Sequence, residues 1–189
     1  METEYPGSLK GHFLLAMPGL TDPNFSQTVT CICEHNADGA FGIVVNRLHD
    51  SLSGKDIFDE LNVQYAPGAE SIPIYIGGPV HMGEIFILHG SPLEWNASLI
   101  ITPNLAMSNT RDILESVAMG GGPKSFIITL GCAGWGPGQL EAEIKANAWL
   151  TFPVFEENIF DFPAEIRWQE AVKKMGIDPT LLSDMAGHA

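Results

Sequence analysis

The segment Gly131–Leu150 constrains the fold of this chain more than any other part of the sequence. An apolar, β-branched run at Phe126–Leu130 precedes it, and four glycines and one proline then follow within eight residues. Beyond them, apolar side chains recur at the spacing of a helix. The pattern predicts a strand, a glycine-rich turn that starts at Gly131, and a helix that begins near Gln139.

The predicted junction between strand and helix is a candidate ligand-binding site. Free backbone N–H groups at the start of a helix attract anions, and glycines let a ligand approach the backbone closely. The same glycines also suit a tight structural turn, so both interpretations stay open. The candidate ligand-binding residues of the junction are Gly131, Gly134, Trp135, Gly138, Gln139 and Glu141.

No catalytic signature fits this junction. Cys132 stands between a strand and a helix, like the nucleophile of a hydrolase elbow, but Leu130 occupies the position of the first glycine. A phosphate loop is also excluded, because its Gly-Lys-Ser/Thr ending is missing. We therefore assign no catalytic residue. An anion or oxyanion cradle at residues 131–141, with His35 or His89 as the base, is the alternative.

A second group of polar residues closes a predicted β-hairpin. Alternation of apolar and polar side chains predicts strands at Gln27–Glu34 and Phe41–Asn46. Polar residues at strand ends often contact ligands, and they equally often close turns or cap backbone groups. The candidate ligand-binding residues at the ends of the hairpin are His35, Asn36, Asn46 and Arg47.

Cys31, Cys33 and His35 alternate along the first hairpin strand and are expected to share one face. Such a set could contact zinc, but residues two apart in a regular strand are separated by about 6–7 Å, which is too far for one tetrahedral ion. A fourth ligand is also missing nearby. We predict buried thiols, no metal site and no cofactor.

The charge balance argues against direct nucleic-acid binding. The chain has 9 Lys and Arg against 23 Asp and Glu, for a formal net charge of −14. Contact with a phosphate backbone needs clustered basic side chains, whereas Lys173-Lys174 is the only adjacent basic pair. The expected partner is therefore a protein or a small molecule of unknown identity.

The N-terminal sequence lacks the basic start and apolar stretch of a signal peptide, and no apolar run approaches membrane-spanning length. The chain has three cysteines, an odd number that favours reduced thiols over a disulfide framework. We expect a cytoplasmic protein with no membrane segment.

Strands cluster early in the sequence and alternate with helices later, which predicts a mixed sheet packed with helices in an α+β fold. We expect a single domain over residues 1–189, with flexible ends at 1–8 and 186–189. The further predicted strands are His12–Met17, Ile72–Ile76, Ile85–His89 and Leu99–Thr102, and the further helices start at Ser53, at Ser108 or Asn109, and at Asp161.

The chain resembles the bacterial YqgE/AlgH family from about Gly11 to Ala189. The segments that carry the resemblance are His12–Pro18 with Asp22–Phe25, Ile32–Asn36 through Gly42–Arg47, Gly77–Val80, the junction with its Gly138–Ile144 core, and Gly187–Ala189. The chain departs from the family pattern at Cys31 and Cys132, where Tyr is more usual, and at Glu84-Ile85, where Arg-Gly is expected.

The resemblance implies a cytoplasmic bacterial α+β domain with an unusual mixed sheet and without an established biochemical activity. It also implies a link to transcriptional regulation. Together with the residues themselves, it predicts a non-enzymatic factor that binds a partner protein or small ligand and regulates indirectly. The alternatives are a hydrolase or transferase that uses the 131–141 cradle, and a direct DNA-binding regulator.

Overall fold

The computed structural model describes residues 6–185, which form a ten-stranded sheet and six α-helices. The strands are β1 His12–Ala16, β2 Val29–Asn36, β3 Gly39–Val44, β4 Leu48–Ser53, β5 Pro73–Ile76, β6 Val80–His89, β7 Ser98–Thr102, β8 Leu105–Ser108, β9 Phe126–Trp135 and β10 Trp149–Pro153. The helices are α1 Gly54–Glu60, α2 Arg111–Ala118, α3 Gln139–Lys145, α4 Glu156–Phe160, α5 Arg167–Lys174 and α6 Pro179–Met185. Of the ends expected to be flexible, residues 1–5 and 186–189 lie outside the described residues.

The sheet is mixed, and the α+β prediction is confirmed. Its strand order is β10-β1-β2-β3-β9-β6-β8-β7, with β5 beside β9 and β4 beside β5. All these pairs are antiparallel except β5 and β9, which run parallel. The predicted hairpin is confirmed as β2 and β3. The sequence pattern does not predict β4, β8, β10 or α4.

The sheet curls and encloses the main core. A β-carbon on Gly11, just before β1, would lie 3.3 Å from Cγ2 of Thr102 at the end of β7, so strands from opposite ends of the sheet order approach each other. The enclosed face carries fully buried side chains such as Phe13, Leu88 and Val172. Burial of each such side chain stabilises the fold by about 1.5–3 kcal/mol. Helices α4, α5 and α6 close this core.

Two helical layers cover the outer face of the sheet. Helices α1 and α2 pack on β5, β6 and β9 through buried residues such as Phe58 and Ile113. Helix α3 packs over β1, β2 and the end of β9 through Leu140. One outer layer therefore covers the part of the sheet around β5 and β6, and the other covers the part around β1 and β2.

A buried arginine fixes α5 against the sheet. Arg167 is only 3% exposed, and its Nε donates to the Phe162 carbonyl at 2.9 Å. One terminal nitrogen donates to the Val45 carbonyl and the other to the Tyr75 hydroxyl at 3.1 Å. The guanidinium also lies 5.1 Å from the centre of the Tyr75 ring, a cation–π distance. These contacts hold α5 beside the ends of β3 and β5.

The connection between β5 and β6 crosses directly over β9. Strands β5 and β6 pair with opposite edges of β9, so Gly77–Pro79 must span two strand spacings, about 9.6 Å. A β-carbon on Gly77 would lie 2.2 Å from the Gly131 carbonyl oxygen, and one on Gly78 would lie 2.2 Å from the Cys132 carbonyl oxygen. Only glycine fits at this close approach.

The prediction of a turn that starts at Gly131 is wrong. Strand β9 continues through this residue to Trp135, and the turn is confined to residues 136–138. Gly131 is required by the crossing, because its φ is +75° and a β-carbon there would lie 2.5 Å from the Gly78 carbonyl oxygen. The predicted start of the helix at Gln139 is confirmed.

We predict that Gly78→Ala destabilises the protein by at least about 3 kcal/mol, because the new β-carbon collides with the β9 backbone and φ at Gly78 is +150°. Urea unfolding measures the effect. Gly83→Ala is the matched control, since no atom lies within 4 Å of its β-carbon position. Equal stability of the two variants would contradict the crossing.

Candidate functional site

Nine of the ten candidate ligand-binding residues, all except Gly131, fall into two groups at opposite ends of the β2–β3 hairpin. Asn46 bonds to the backbone of Val29, at the start of β2, whereas His35 lies near the end of this strand. Six residues of extended strand separate these positions by about 20 Å. Asn46 and Arg47 are therefore remote from His35 and from the candidates near α3, whereas Gly131 lies at the strand crossing.

His35 joins three segments at the α3 end. The residue is 3% exposed, and its Nδ1 accepts a hydrogen bond from the Leu9 backbone N–H at 3.0 Å. Nε2 consequently carries the hydrogen and donates to Oε1 of Glu141 at 3.1 Å. The ring thereby fastens both the N-terminal segment and α3 to β2, which gives His35 and Glu141 a structural role.

The expectation that His35 shares a face with the two cysteines of β2 is wrong. The register of β2 against β3 shifts between Ile32 and Glu34, so Cys33 lies at a bulge. The bulge reverses the alternation beyond it. Cys31 and Cys33 face the enclosed core, whereas His35 pairs with Ala40, which belongs to the cluster under α3.

Glu143 is the central polar residue of the α3 end. Its Oε2 accepts hydrogen bonds from the indole N–H groups of Trp135, at 2.9 Å, and Trp149, at 2.8 Å. Its Oε1 accepts from Nε2 of Gln139 at 2.9 Å. The i,i+4 spacing from Gln139 is visible in the sequence, but the two indoles meet the carboxylate only after β9 and β10 have folded.

The side chain of Gln139 is also occupied within the protein. Oε1 of Gln139 accepts from the Gly136 backbone N–H at 3.0 Å and closes the turn. Gly138 takes up a left-handed conformation, with φ of 72°, before a helix of only seven residues. Gly134 is exposed and has no neighbour within 4 Å of its β-carbon position, whereas Asn36 accepts from the Asp38 N–H in the hairpin turn.

The three cysteines are free and buried, which confirms the prediction of buried thiols at Cys31 and Cys33. Burial raises the pKa of the Cys132 thiol to about 11, with a smaller contribution from Glu84. A thiol with this pKa is almost entirely protonated at neutral pH, so Cys132 is a poor nucleophile. Within residues 6–185, no group of three or more His, Cys, Asp or Glu is placed to hold a metal ion.

A groove of about 550 Å³ lies at the other end of the hairpin. It separates the loop before β2 from helices α5 and α6. The side chains that line it include Gln27, Asn46, Arg47, Glu165, Trp168 and Gln169. Two of the candidate residues, Asn46 and Arg47, thus line a cavity.

Asn46 and Arg47 build one wall of the groove. The Asn46 side chain accepts from the Val29 N–H at 2.8 Å and donates to the Gln27 carbonyl at 2.9 Å. This contact holds Gln27 at φ of 56°, a conformation that a residue with a side chain rarely adopts. Asn46 therefore stabilises a loop conformation that directs residue 27 to the groove.

Arg47 holds the same loop through three backbone carbonyls. Nη1 donates to Pro23 at 2.7 Å and to Asn24 at 2.9 Å, and Nη2 donates to Ser26 at 3.0 Å. Partial burial lowers the pKa of Arg47, and the nearby Asp22 carboxylate opposes this shift. Arg47 forms no ion pair within the described part of the chain.

The opposite wall is supplied by α5 and the turn before it. The indole N–H of Trp168 donates to the Ala16 carbonyl at 3.0 Å, which fixes this side chain beside β1. In contrast to the residues near α3, several groove side chains form no hydrogen bond with the described residues. These are Ser26, Gln27, Glu165 and Gln169.

His89, the other candidate base, lies in an interior network away from both places. Its Nδ1 donates to the Gly90 carbonyl at 2.8 Å, so Nε2 accepts from the Ser108 hydroxyl at 2.9 Å. The Ser98 and Ser108 hydroxyls are 2.8 Å apart. The His89 side chain is fully buried, and this burial lowers its pKa.

The architecture defines an α+β protein with a curled mixed sheet, a strand crossing and a groove at one end. A family model described as AlgH-like matches residues 13–180. A UPF0301 protein of Desulforapulum autotrophicum is 50% identical over the full length of both chains, and one of Methylococcus capsulatus is 45% identical over 95% of this chain and 96% of its own. The chain belongs to the AlgH-like family.

Two solved structures share the fold. The solution structure of the AlgH protein from Pseudomonas aeruginosa is 43% identical and covers both chains completely, with a TM-score of 0.79. A crystal structure of a Corynebacterium diphtheriae protein is 20% identical and covers 96% of this chain and 93% of its own, with a TM-score of 0.71. The second likeness extends to the fold alone. Among residues 6–185, no helix is both long and apolar enough to cross a membrane.

We predict that His89 makes the fold sensitive to acid. The unfolded chain binds a proton at this imidazole near pH 6.5, whereas the folded protein binds it only at lower pH. The contribution of His89 is therefore complete above pH 6.5 and is lost as the pH falls below this value, by at most about 1.4 kcal/mol per pH unit.

Urea unfolding of wild type and His89→Gln between pH 7 and pH 5 measures this effect. The stability difference between the two proteins should shift in favour of the variant as the pH falls. A constant difference across this range would contradict the assignment.

Proposed function

We propose that this protein is a non-enzymatic, cytoplasmic binding factor whose groove at Asn46 and Arg47 receives a small ligand or a short segment of a partner. Any effect on transcription is indirect and follows from this binding. The observation that carries the proposal is the groove of about 550 Å³. Its volume falls within the range of small-molecule sites, about 300–1,000 Å³.

The state of the polar groups supports the groove over the α3 end. Near α3, the side chains form hydrogen bonds within the protein. His35 bonds to Glu141, and Gln139 bonds to Glu143 and to the Gly136 backbone. In the groove, Gln27 and Gln169 have amides without a hydrogen-bond partner among the described residues. A ligand in the groove can satisfy these amides without breaking contacts that maintain the fold.

The hydrolase alternative has less support. Its cradle would need a reactive group at residues 131–141, but Cys132 is 2% exposed and has a raised pKa. Of the two proposed bases, His89 is buried beside Ser108, and Nδ1 of His35 accepts from the Leu9 backbone. Neither histidine is arranged to take a proton from a substrate at the junction.

We predict that small ligands bind at the groove and not at the α3 end. Titration of ¹⁵N-labelled protein with a fragment library, followed by NMR, should shift backbone signals of the loop before β2 and of α5. The double variant Gln27→Ala/Gln169→Ala should weaken these ligands by about tenfold, since it removes two amide hydrogen-bonding groups.

Gln139→Ala is the matched control, because it removes an equivalent amide near α3. Its fragment affinities should equal those of wild type. If fragments shift the NMR signals of α3 and bind Gln139→Ala more weakly than wild type, the binding site is at the junction and not at the groove. A library without any groove ligand would overturn the proposal.

We also predict that the protein does not bind duplex DNA directly. A net charge of −14 makes contact with phosphates unfavourable, most strongly at low salt, where screening is weakest. Fluorescence anisotropy with random-sequence duplex at low ionic strength should show no binding. Saturable binding that weakens with added salt would support a direct DNA-binding regulator instead.

A further inference from the structure

We infer that the groove recognises a carboxylate, which binds to the guanidinium of Arg47. This inference rests on the groove's being the ligand site proposed above. It names the chemical group that the ligand must carry and the residue that contacts it. The group can belong to a small organic acid or to the C-terminus of a peptide.

The hydrogen-bond donors of Arg47 are the first support for carboxylate recognition. An arginine side chain has five N–H groups. Three of those in Arg47 donate to backbone carbonyls of the loop before β2, two from Nη1 and one from Nη2. Nε–H and the second Nη2–H have no acceptor among the described residues. Adjacent N–H groups of this kind bind a carboxylate through two parallel hydrogen bonds.

The electrostatic surroundings of Arg47 are the second support for carboxylate recognition. Arg47 forms no ion pair with a described carboxylate, although the chain has 23 acidic and 9 basic residues. Its three acceptors are neutral carbonyls, so the positive charge is not compensated by direct contact. The nearby Asp22 carboxylate offsets part of this charge without an ion-pair contact. The guanidinium is thus fixed in position and keeps the rest of its attraction for an anion.

The type of anion follows from the rest of the groove. Glu165 also lines the cavity, and the protein has a net charge of −14. Repulsion from these charges is greater for a doubly charged phosphate than for a singly charged carboxylate. Planar carboxylates also match the fork of an arginine side chain. These two factors together favour a monocarboxylate.

Trp168 indicates what the carboxylate is attached to. Its indole is anchored to the Ala16 carbonyl and lines the groove together with Pro179 and Ala164. An aromatic side chain offers a flat apolar surface, which binds an apolar or aromatic group of the ligand. The expected ligand therefore has a carboxylate for Arg47 and a compact apolar group for Trp168.

A matched pair of probes tests the inference on the wild-type protein. NMR titration compares 3-phenylpropionate with 3-phenylpropanamide, which has the same shape without the charge. The acid should bind at the groove at least about tenfold more tightly than the amide. Equal affinity of the two probes would overturn the carboxylate inference and leave the proposed groove intact, whereas the absence of any groove ligand would overturn both.

A peptide pair distinguishes the two sources of the carboxylate. Acetyl-Gly-Phe with a free C-terminus is compared with the same peptide amidated at its C-terminus. If the free acid binds more tightly than 3-phenylpropionate, the site takes a chain terminus. If the two acids bind equally, a small organic acid suffices. Either result supports carboxylate recognition, provided that the amidated peptide is weaker.

Arg47→Lys tests the contact itself. Lysine keeps the charge but lacks the two adjacent donors, so affinity for 3-phenylpropionate should fall by about tenfold. Arg111→Lys is the control, because Arg111 also holds backbone carbonyls but lies on α2, away from the groove. An equal loss of affinity for 3-phenylpropionate in both variants, or no loss in Arg47→Lys, would overturn the assignment of Arg47 as the carboxylate-binding residue. The probe comparisons on wild type decide the inference if Arg47→Lys does not fold.

Discussion

The crossing of Gly77–Pro79 over β9 is the contact on which the rest of the fold depends. It lets β5 and β6 pair with opposite edges of β9, and β3 then pairs with the last residues of the same strand. Strand β9 is therefore central to the sheet, and the positions of α1, α2 and α3 on the outer face follow from it. The crossing exists only because Gly77, Gly78 and Gly131 carry no β-carbon.

The groove depends on a second constraint, the attachment of α5 to the sheet. Each guanidinium nitrogen of Arg167 donates to a group on the protein, and together these contacts hold α5 beside the end of β3. Since Asn46 and Arg47 directly follow this strand end, α5 becomes the wall opposite to them. The two arginines thus have different roles. Arg167 fixes α5 against the sheet, whereas Arg47 lines the groove, holds the loop before β2 and retains two N–H groups without an acceptor among the described residues.

Local pattern predicts most elements of this chain because they depend on their own residues. Ser53 precedes α1 and Gln139 begins α3, and both positions follow from capping and periodicity. The role of Gly131 could not be predicted in this way, since it is set by contact with a segment more than fifty residues earlier. The bulge at Cys33, which separates His35 from the cysteines, also has no sequence signal. The grouping of candidate residues likewise depends on tertiary packing.

The chemistry of a residue type does not by itself distinguish structural residues from binding residues, because Gln139 and Gln27 have the same amide side chain. What separates them is the partner that the fold supplies. The amide of Gln139 closes a turn and meets Glu143, so a ligand would have to compete with two intramolecular bonds. The amide of Gln27 meets no described partner, and its backbone is held in an unfavourable conformation by Asn46. Strain of this kind persists only where surrounding contacts compensate for it, and such positions cluster at functional sites. The same reasoning supports our proposal that a ligand binds at the groove, and it assigns Gly131 to the architecture of the sheet.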